Sequence, residues 1–146
     1  MAHCLDGVGQ DVANEVRTEI GEYQPGIGPF PPMAPLAEST IDTKVSKNLG
    51  KGGDPDTPLY ASGAFESDIG HAVDAGALSV EVGTNQNHVI YTEFGTAKQP
   101  PRPIFGPAAL RILPKIKSRV AAAAVTGLIG ISITSHNPNG TEQNIT

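Results

Sequence analysis

The sequence predicts an α+β fold: a small antiparallel β-sheet of three to four strands flanked by an N-terminal and a C-terminal helix, with long Pro/Gly-rich arms. Three observations carry this. Apolar residues recur at helical spacing near both ends of the chain. Between them, from Ile69 to Phe94, apolar and polar residues alternate as they do in half-buried strands. The 146 residues include 17 glycines and 13 prolines but no tryptophan, a composition of short elements joined by turns.

The first helix is expected from about Leu5 to Glu22. Leu5, Val8, Val12, Val16 and Ile20 fall on one face, and Asp6, Asp11, Glu15, Glu19 and Glu22 supply the wet side. Gly21 and Pro25 end it. Residues 24–37 hold five prolines, which remove donors and fix the backbone angle, so an extended arm is expected. A ligand for an SH3-like domain would need a basic residue that this stretch lacks.

A short helix follows, with Ser39 as its cap, Asp42 near its positive end and Ile41, Val45 and Leu49 as its apolar edge, stopped by Gly50. The loop from Gly50 to Asp56 contains glycines and Lys51, but no strand leads into it and no helix follows the lysine. A nucleotide-binding loop is therefore rejected. From Thr57 the chain reads as a turn and one or two helical turns. A hairpin then pairs Ile69, His71 and Val73 with Leu78, Val80 and Val82 around Asp74-Ala75-Gly76. His88 to Phe94 is expected as a third strand.

Pro100, Pro101 and Pro103 stiffen the next segment, and Pro107 suits the first position of the last helix. Ala109, Leu113, Ile116, Val120 and Ala124 form the expected buried stripe, with Arg111, Lys115 and Arg119 as a basic row. Pro114 should kink or break that helix near Leu110. One domain is expected over 1–134, and the polar tail 135–146 is read as disordered.

Charge divides the chain. Residues 1–93 hold 14 acidic and four basic residues, whereas 94–141 hold six basic residues and no acid. The favoured reading packs the basic segment beside acids of its own chain or leaves it solvated. The alternative sets it against a neighbouring subunit, where opposite charges steer association.

Chemistry is sparse. Cys4, the single cysteine, leaves no disulfide framework or thiolate metal cluster. The four histidines lack ligand spacing, although His71 and His88 would sit on adjacent predicted strands. There is no nucleophile elbow, no signal-peptide pattern and no apolar run long enough for a membrane span. A soluble, cytosol-made, non-enzymatic protein without cofactor or metal is expected. The basic row could touch phosphates, but no aromatic stacking set or reader motif accompanies it.

Five blocks in order then carry a resemblance: Pro35-Leu36-Ala37-Glu38-Ser39-Thr40-Ile41 with Lys44; Pro58 to Ile69; Val80-Glu81-Val82-Gly83-Thr84; Tyr91-Thr92-Glu93-Phe94-Gly95-Thr96; and Pro101-Arg102-Pro103-Ile104-Phe105 with Pro107-Ala108. Over about Pro35 to Leu110 the chain resembles the virion morphogenesis and minor tail or tail-completion proteins of tailed bacteriophages. Ser62 stands where threonine is usual, Phe65 where leucine is usual, and Ile104-Phe105 shifts a phenylalanine by one.

The resemblance implies a non-enzymatic structural protein of the virion, made in the host cytoplasm, at the head–tail joining neck or proximal tail. It implies a homo-oligomeric ring, a hexamer favoured, between the connector or head-closure protein and the tail terminator or tail tube. Non-specific contact with genomic DNA in the channel stays open. The runner-up is a DNA-contacting accessory protein of phage origin. Glu93, Phe94, Arg102, Ile104, Phe105, Arg111, Lys115 and Arg119 are the candidate subunit or partner interface. For Ile104 and Phe105, burial in their own core is preferred to burial in a neighbour's.

Overall fold

The first helix organises the packing because its apolar residues return every three or four positions. In the computed structural model, which describes residues 1–129, α1 spans Ala2–Glu19. Leu5, Val8, Val12, Val16 and the following Ile20 are all buried, as the spacing predicts. The helix starts and stops three residues earlier than expected. Gly21, at φ +89°, turns the chain away, and its amide donates to the Pro58 carbonyl at 2.9 Å. Lys51 donates to the Ile20 carbonyl at 3.0 Å, placing a cation at the negative end of α1. The loop lysine thus closes a helix.

Residues 31–37 form no regular element and lie against their own chain: the Met33 amide donates to the Gln24 carbonyl, and Met33 is buried. α2 (Glu38–Ser46) follows. It departs from expectation at both its cap and its buried edge. Ala37 occupies the cap position without a side-chain bond, and the Ser39 carbonyl instead accepts from the Thr43 hydroxyl. Val45 is 62% exposed, whereas Lys44 is buried. Lys44 reaches the Thr57 carbonyl at 2.5 Å, so a polar anchor rather than the apolar edge fixes which face turns inward.

α3 (Ala64–Asp68) puts Phe65 into the core. β1 (Gly70–Asp74) and β2 (Ser79–Gly83) make the expected antiparallel hairpin, with His71 opposite Val82 and Val73 opposite Val80. Asp74 Oδ1 accepts from the amides of Gly76 and Ala77 and tightens the turn. Leu78 belongs to that turn, at φ +52° and 61% exposed, not to the strand.

The third strand is not formed. α4 (Val89–Phe94) occupies its place, and the sheet has two strands among the described residues, not three or four. Asp68 causes the diversion: its Oδ2 accepts from the Thr84 hydroxyl and the Asn85 amide, at 2.6 and 2.7 Å. These bonds hold the carboxyl below its ordinary pKa and swing the chain off the hairpin edge. Local helical bonds then satisfy backbone groups that a sheet ladder would have served.

The last helix of the prediction is two. α5 (Phe105–Arg111) and α6 (Leu113–Ile129) break at Ile112, where Pro114 cannot donate back to Leu110. Pro107 is the third residue of α5 rather than the first, still among positions whose amides need no helical partner. The break resets the buried face. Ala108 is fully buried and Ile112 and Ile116 pack on the core, while Leu113 and Val120 are exposed, contrary to the predicted stripe; Ala124 is exposed too. The end of the domain placed at 134 and the tail 135–146 lie outside the described residues.

The core therefore forms where α1 meets the hairpin, α3, α4 and α5, through Val12, Val16, Phe65, Ile69, Val89 and Ile104 among others. The class is α+β. No helix among the described residues is long and apolar enough to cross a membrane.

Candidate functional site

The stretch from His88 to Arg119 carries all eight candidate interface residues, and its course is set by one glycine. Gly95 sits at φ +75°, where a Cβ would lie 2.8 Å from the Pro101 nitrogen and 3.0 Å from the Gln99 carbonyl oxygen. Only glycine fits that left-handed bend. The chain makes a tight turn bridged by Thr96 and Gln99 and returns along α4, where the Arg102 amide donates to the Thr92 carbonyl at 2.6 Å.

That return brings Glu93 to the start of α5. Its Oε2 accepts from the Ile104 amide at 2.9 Å, an acid satisfying an otherwise orphaned donor at a helix entrance. Ile104 is 1% exposed. Phe105 meets Phe65 edge to face, with ring centroids 6.4 Å apart. Both side chains lie in or against their own core, the preferred of the two placements.

Arg102 is also buried. Its Nε and Nη2 donate to the carbonyls of Ala34 and Pro35, at 3.1 and 2.7 Å. The Tyr23 hydroxyl accepts from the Leu36 amide next door and donates to Asp56. Burial and then the Asp56 bond push the Tyr23 phenol above its ordinary pKa. The proline-rich residues 31–37 are thus tied to the turn that follows α4.

The basic row meets the acidic half within one chain. Arg111 donates to Glu19 Oε1 and to the Pro25 carbonyl. Lys115 and Arg119 donate to the two oxygens of Asp11, at 2.9 and 2.6 Å. Burial raises the Glu19 carboxyl above its ordinary pKa; Arg111 only partly offsets it, and Glu15 adds to the rise. Burial pulls the Asp11 carboxyl the same way, but the bonds and charges of Lys115 and Arg119 together outweigh it and hold Asp11 low.

Of the three apolar candidates, Phe94 alone stands well out, at 78% exposed; Lys115 and Arg119 are exposed too, with their charges on Asp11. Ile90 and Tyr91, on the same short helix as Phe94, are 62% and 59% exposed. Beside them lies an open cleft of about 420 Å³ whose lining includes Val82, Asn87, Ile90, Phe94 and Phe105. The sequence reading missed Ile90 and Tyr91 because a strand would have buried one alternating face. At helical spacing Ile90 and Phe94 share a face, which is the signal that was present.

The histidines do not meet as adjacent strands would have allowed. His71 Nε2 lies 2.8 Å from Asp6 Oδ1, and His88 packs edge-on to Phe65. Among the described residues no cluster of three metal-ligating side chains occurs. Comparison of the chain with protein-family models, curated proteins and solved structures found no match.

Proposed function

We propose that this chain is a structural subunit of a tailed-bacteriophage particle, a ring-forming neck or tail-completion component between the head connector and the tail. The observation that carries the reading beyond the resemblance is α4. Three large apolar side chains, Ile90, Tyr91 and Phe94, stand more than half exposed on a helix of six residues. Each gains about 1.5–3 kcal/mol when removed from water, and a contiguous apolar patch marks a contact surface. The helix sits beside the Glu93–Ile104 junction, so a neighbour docking there would press on a rigid part of the fold.

Ring closure needs two different patches per subunit. The exposed Leu113 and Val120, seven positions apart on one face of α6, are a second apolar surface and our candidate for the complementary one. Arg111, Lys115 and Arg119 already meet acids of their own chain. Assembly is therefore driven by apolar burial and holds in high salt, unlike an interface built on opposed charges. Six copies are favoured.

Light scattering on the purified chain tests this. A discrete oligomer, six-fold in mass, that persists from low to high salt and is lost on Phe94→Asp is expected. A monomer at high concentration that binds duplex DNA would overturn the reading in favour of a DNA-contacting accessory protein.

A further inference from the structure

A second cleft, of about 380 Å³, lies between α2 and the turn that follows α4, and Lys44, Lys98 and Arg102 all line it. No carboxylate residue is among its walls, in a chain whose net charge is −5. Leu36, Leu59, Tyr60 and Pro100 supply apolar surface beside the cations. Two of the three cations are more than nine-tenths buried, Lys44 at 8% and Arg102 at 7% exposed. A buried ammonium or guanidinium is costly unless its donors are met.

The protein uses only some of those donors, and among the described residues none of the rest is both buried and unpaired, so they face the open cleft. An ammonium carries three, and Lys44 spends one on the Thr57 carbonyl. Arg102 commits Nε and Nη2 to Ala34 and Pro35, and among the described residues Nη1 has no acceptor. Asp54 and Asp56, the acids whose charge reaches Lys44, are not among the walls of the cleft. Ala37 and Thr40, from the start of the nine-residue helix α2, border the same space, where Glu38 in the first turn offsets the positive end of the helix dipole.

We propose that this cleft binds a small organic anion, a carboxylate or phosphate monoester carrying a compact apolar body. The anion sits between Lys44, Lys98 and Arg102, and its apolar part lies against Leu59 and Tyr60. This inference is independent of ring formation. A charged hydrogen bond of this kind is worth about tenfold or more in affinity.

The test is titration of the full chain with benzoate, phenyl phosphate and neutral benzamide, followed by calorimetry and by amide chemical shifts. Saturable binding of at least one anion is expected, with shifts centred on Leu59, Tyr60 and Ala61 and benzamide at least about tenfold weaker. The stronger of the two anions identifies which headgroup the site takes. Lys44→Met should lower affinity about tenfold; because that variant could fail to fold, Lys98→Glu, at an exposed position, serves as the second. Benzamide binding as well as the anions, anion shifts that never saturate, or unchanged affinity in Lys98→Glu would each overturn the proposal.

Discussion

Arg111 Nη1 meets Glu19 Oε1 at 2.5 Å across 92 positions of sequence, fastening α5 to the last turn of α1. The other carboxylate oxygen, Oε2, is buried without a partner among the described residues. Such a pair is tense: the desolvated carboxylate is held by one guanidinium, and losing that partner leaves a buried charge. Arg111→Met should destabilise the fold by about 3–5 kcal/mol at neutral pH. The double variant Arg111→Met/Glu19→Leu should recover most of the loss. Urea unfolding of the two variants checks this, and equal losses in both would show that packing, not charge, sets the effect.

The same glutamate gives the fold an acid-side dependence. Its native pKa is raised above 4.5, so the folded state holds the proton more tightly than the unfolded chain. Stability is therefore gained as pH falls through the native pKa toward 4.5, and lost in the other direction. Asp11 acts oppositely. Its native pKa is below 3.8, so its contribution is present above 3.8 and lost as pH falls further. Glu19→Gln should flatten the decline in stability above pH 4.5, and Asp11→Asn the decline below 3.8. Unfolding free energies measured across this range would show the two slopes changing separately.

How much was legible in the sequence follows from which interactions are local. The apolar face of α1 and the existence of the hairpin were readable, because Val8, Val12 and Val16, or Val80 and Val82, repeat a period that a single element imposes. The register was not, since Asp74 pairs with Ser79 inside the strands and Leu78 falls in the turn, nor was the burial of Glu19, expected on the wet face. Charge alone favoured a basic row packed beside its own acids or solvated, without choosing between the two; the pairing with Glu19 and Asp11 is what the fold adds. The fate of His88–Phe94 was not readable. It depends on Asp68 capturing Thr84 and Asn85, a contact across the hairpin that no window of alternating residues contains. The inward turn of Lys44 likewise depends on Thr57, 13 positions on. Alternation placed His88–Phe94 in a strand and so hid that Ile90, Tyr91 and Phe94 stand exposed on a short helix.

Ile104 and Phe94 separate folding from assembly. Ile104 is fully enclosed beside Phe65, Val89 and Ala108, so Ile104→Ala should cost about 2–5 kcal/mol. Phe94, at 78% exposed, leaves little behind, and Phe94→Ala should change the unfolding free energy of the monomer by no more than about 0.5 kcal/mol. Its effect should appear in sedimentation, as a shift from oligomer to smaller species. A large stability loss in Phe94→Ala would mean that α4 is turned the other way.

Two glycines of α1 test how closely the helix lies on the hairpin. A Cβ at Gly9 would fall 2.5 Å from His71 Cδ2 and 2.8 Å from Val80 Cγ2. His71 cannot swing aside without leaving Asp6, and Val80 is stiff at χ1. A Cβ at Gly7 would instead meet the end of Arg119, at 2.8 Å from Nη1, a flexible group that can move. Alanine in place of glycine favours a helix by about 1 kcal/mol, while overpacking costs about 1–3 kcal/mol. Gly9→Ala should therefore be net destabilising, and Gly7→Ala close to neutral, because the helix gain offsets a loosened Arg119–Asp11 bond. Thermal unfolding of the pair decides it. If Gly9→Ala stabilised as much as Gly7→Ala or more, α1 and the hairpin would have to stand further apart than Gly9 now allows.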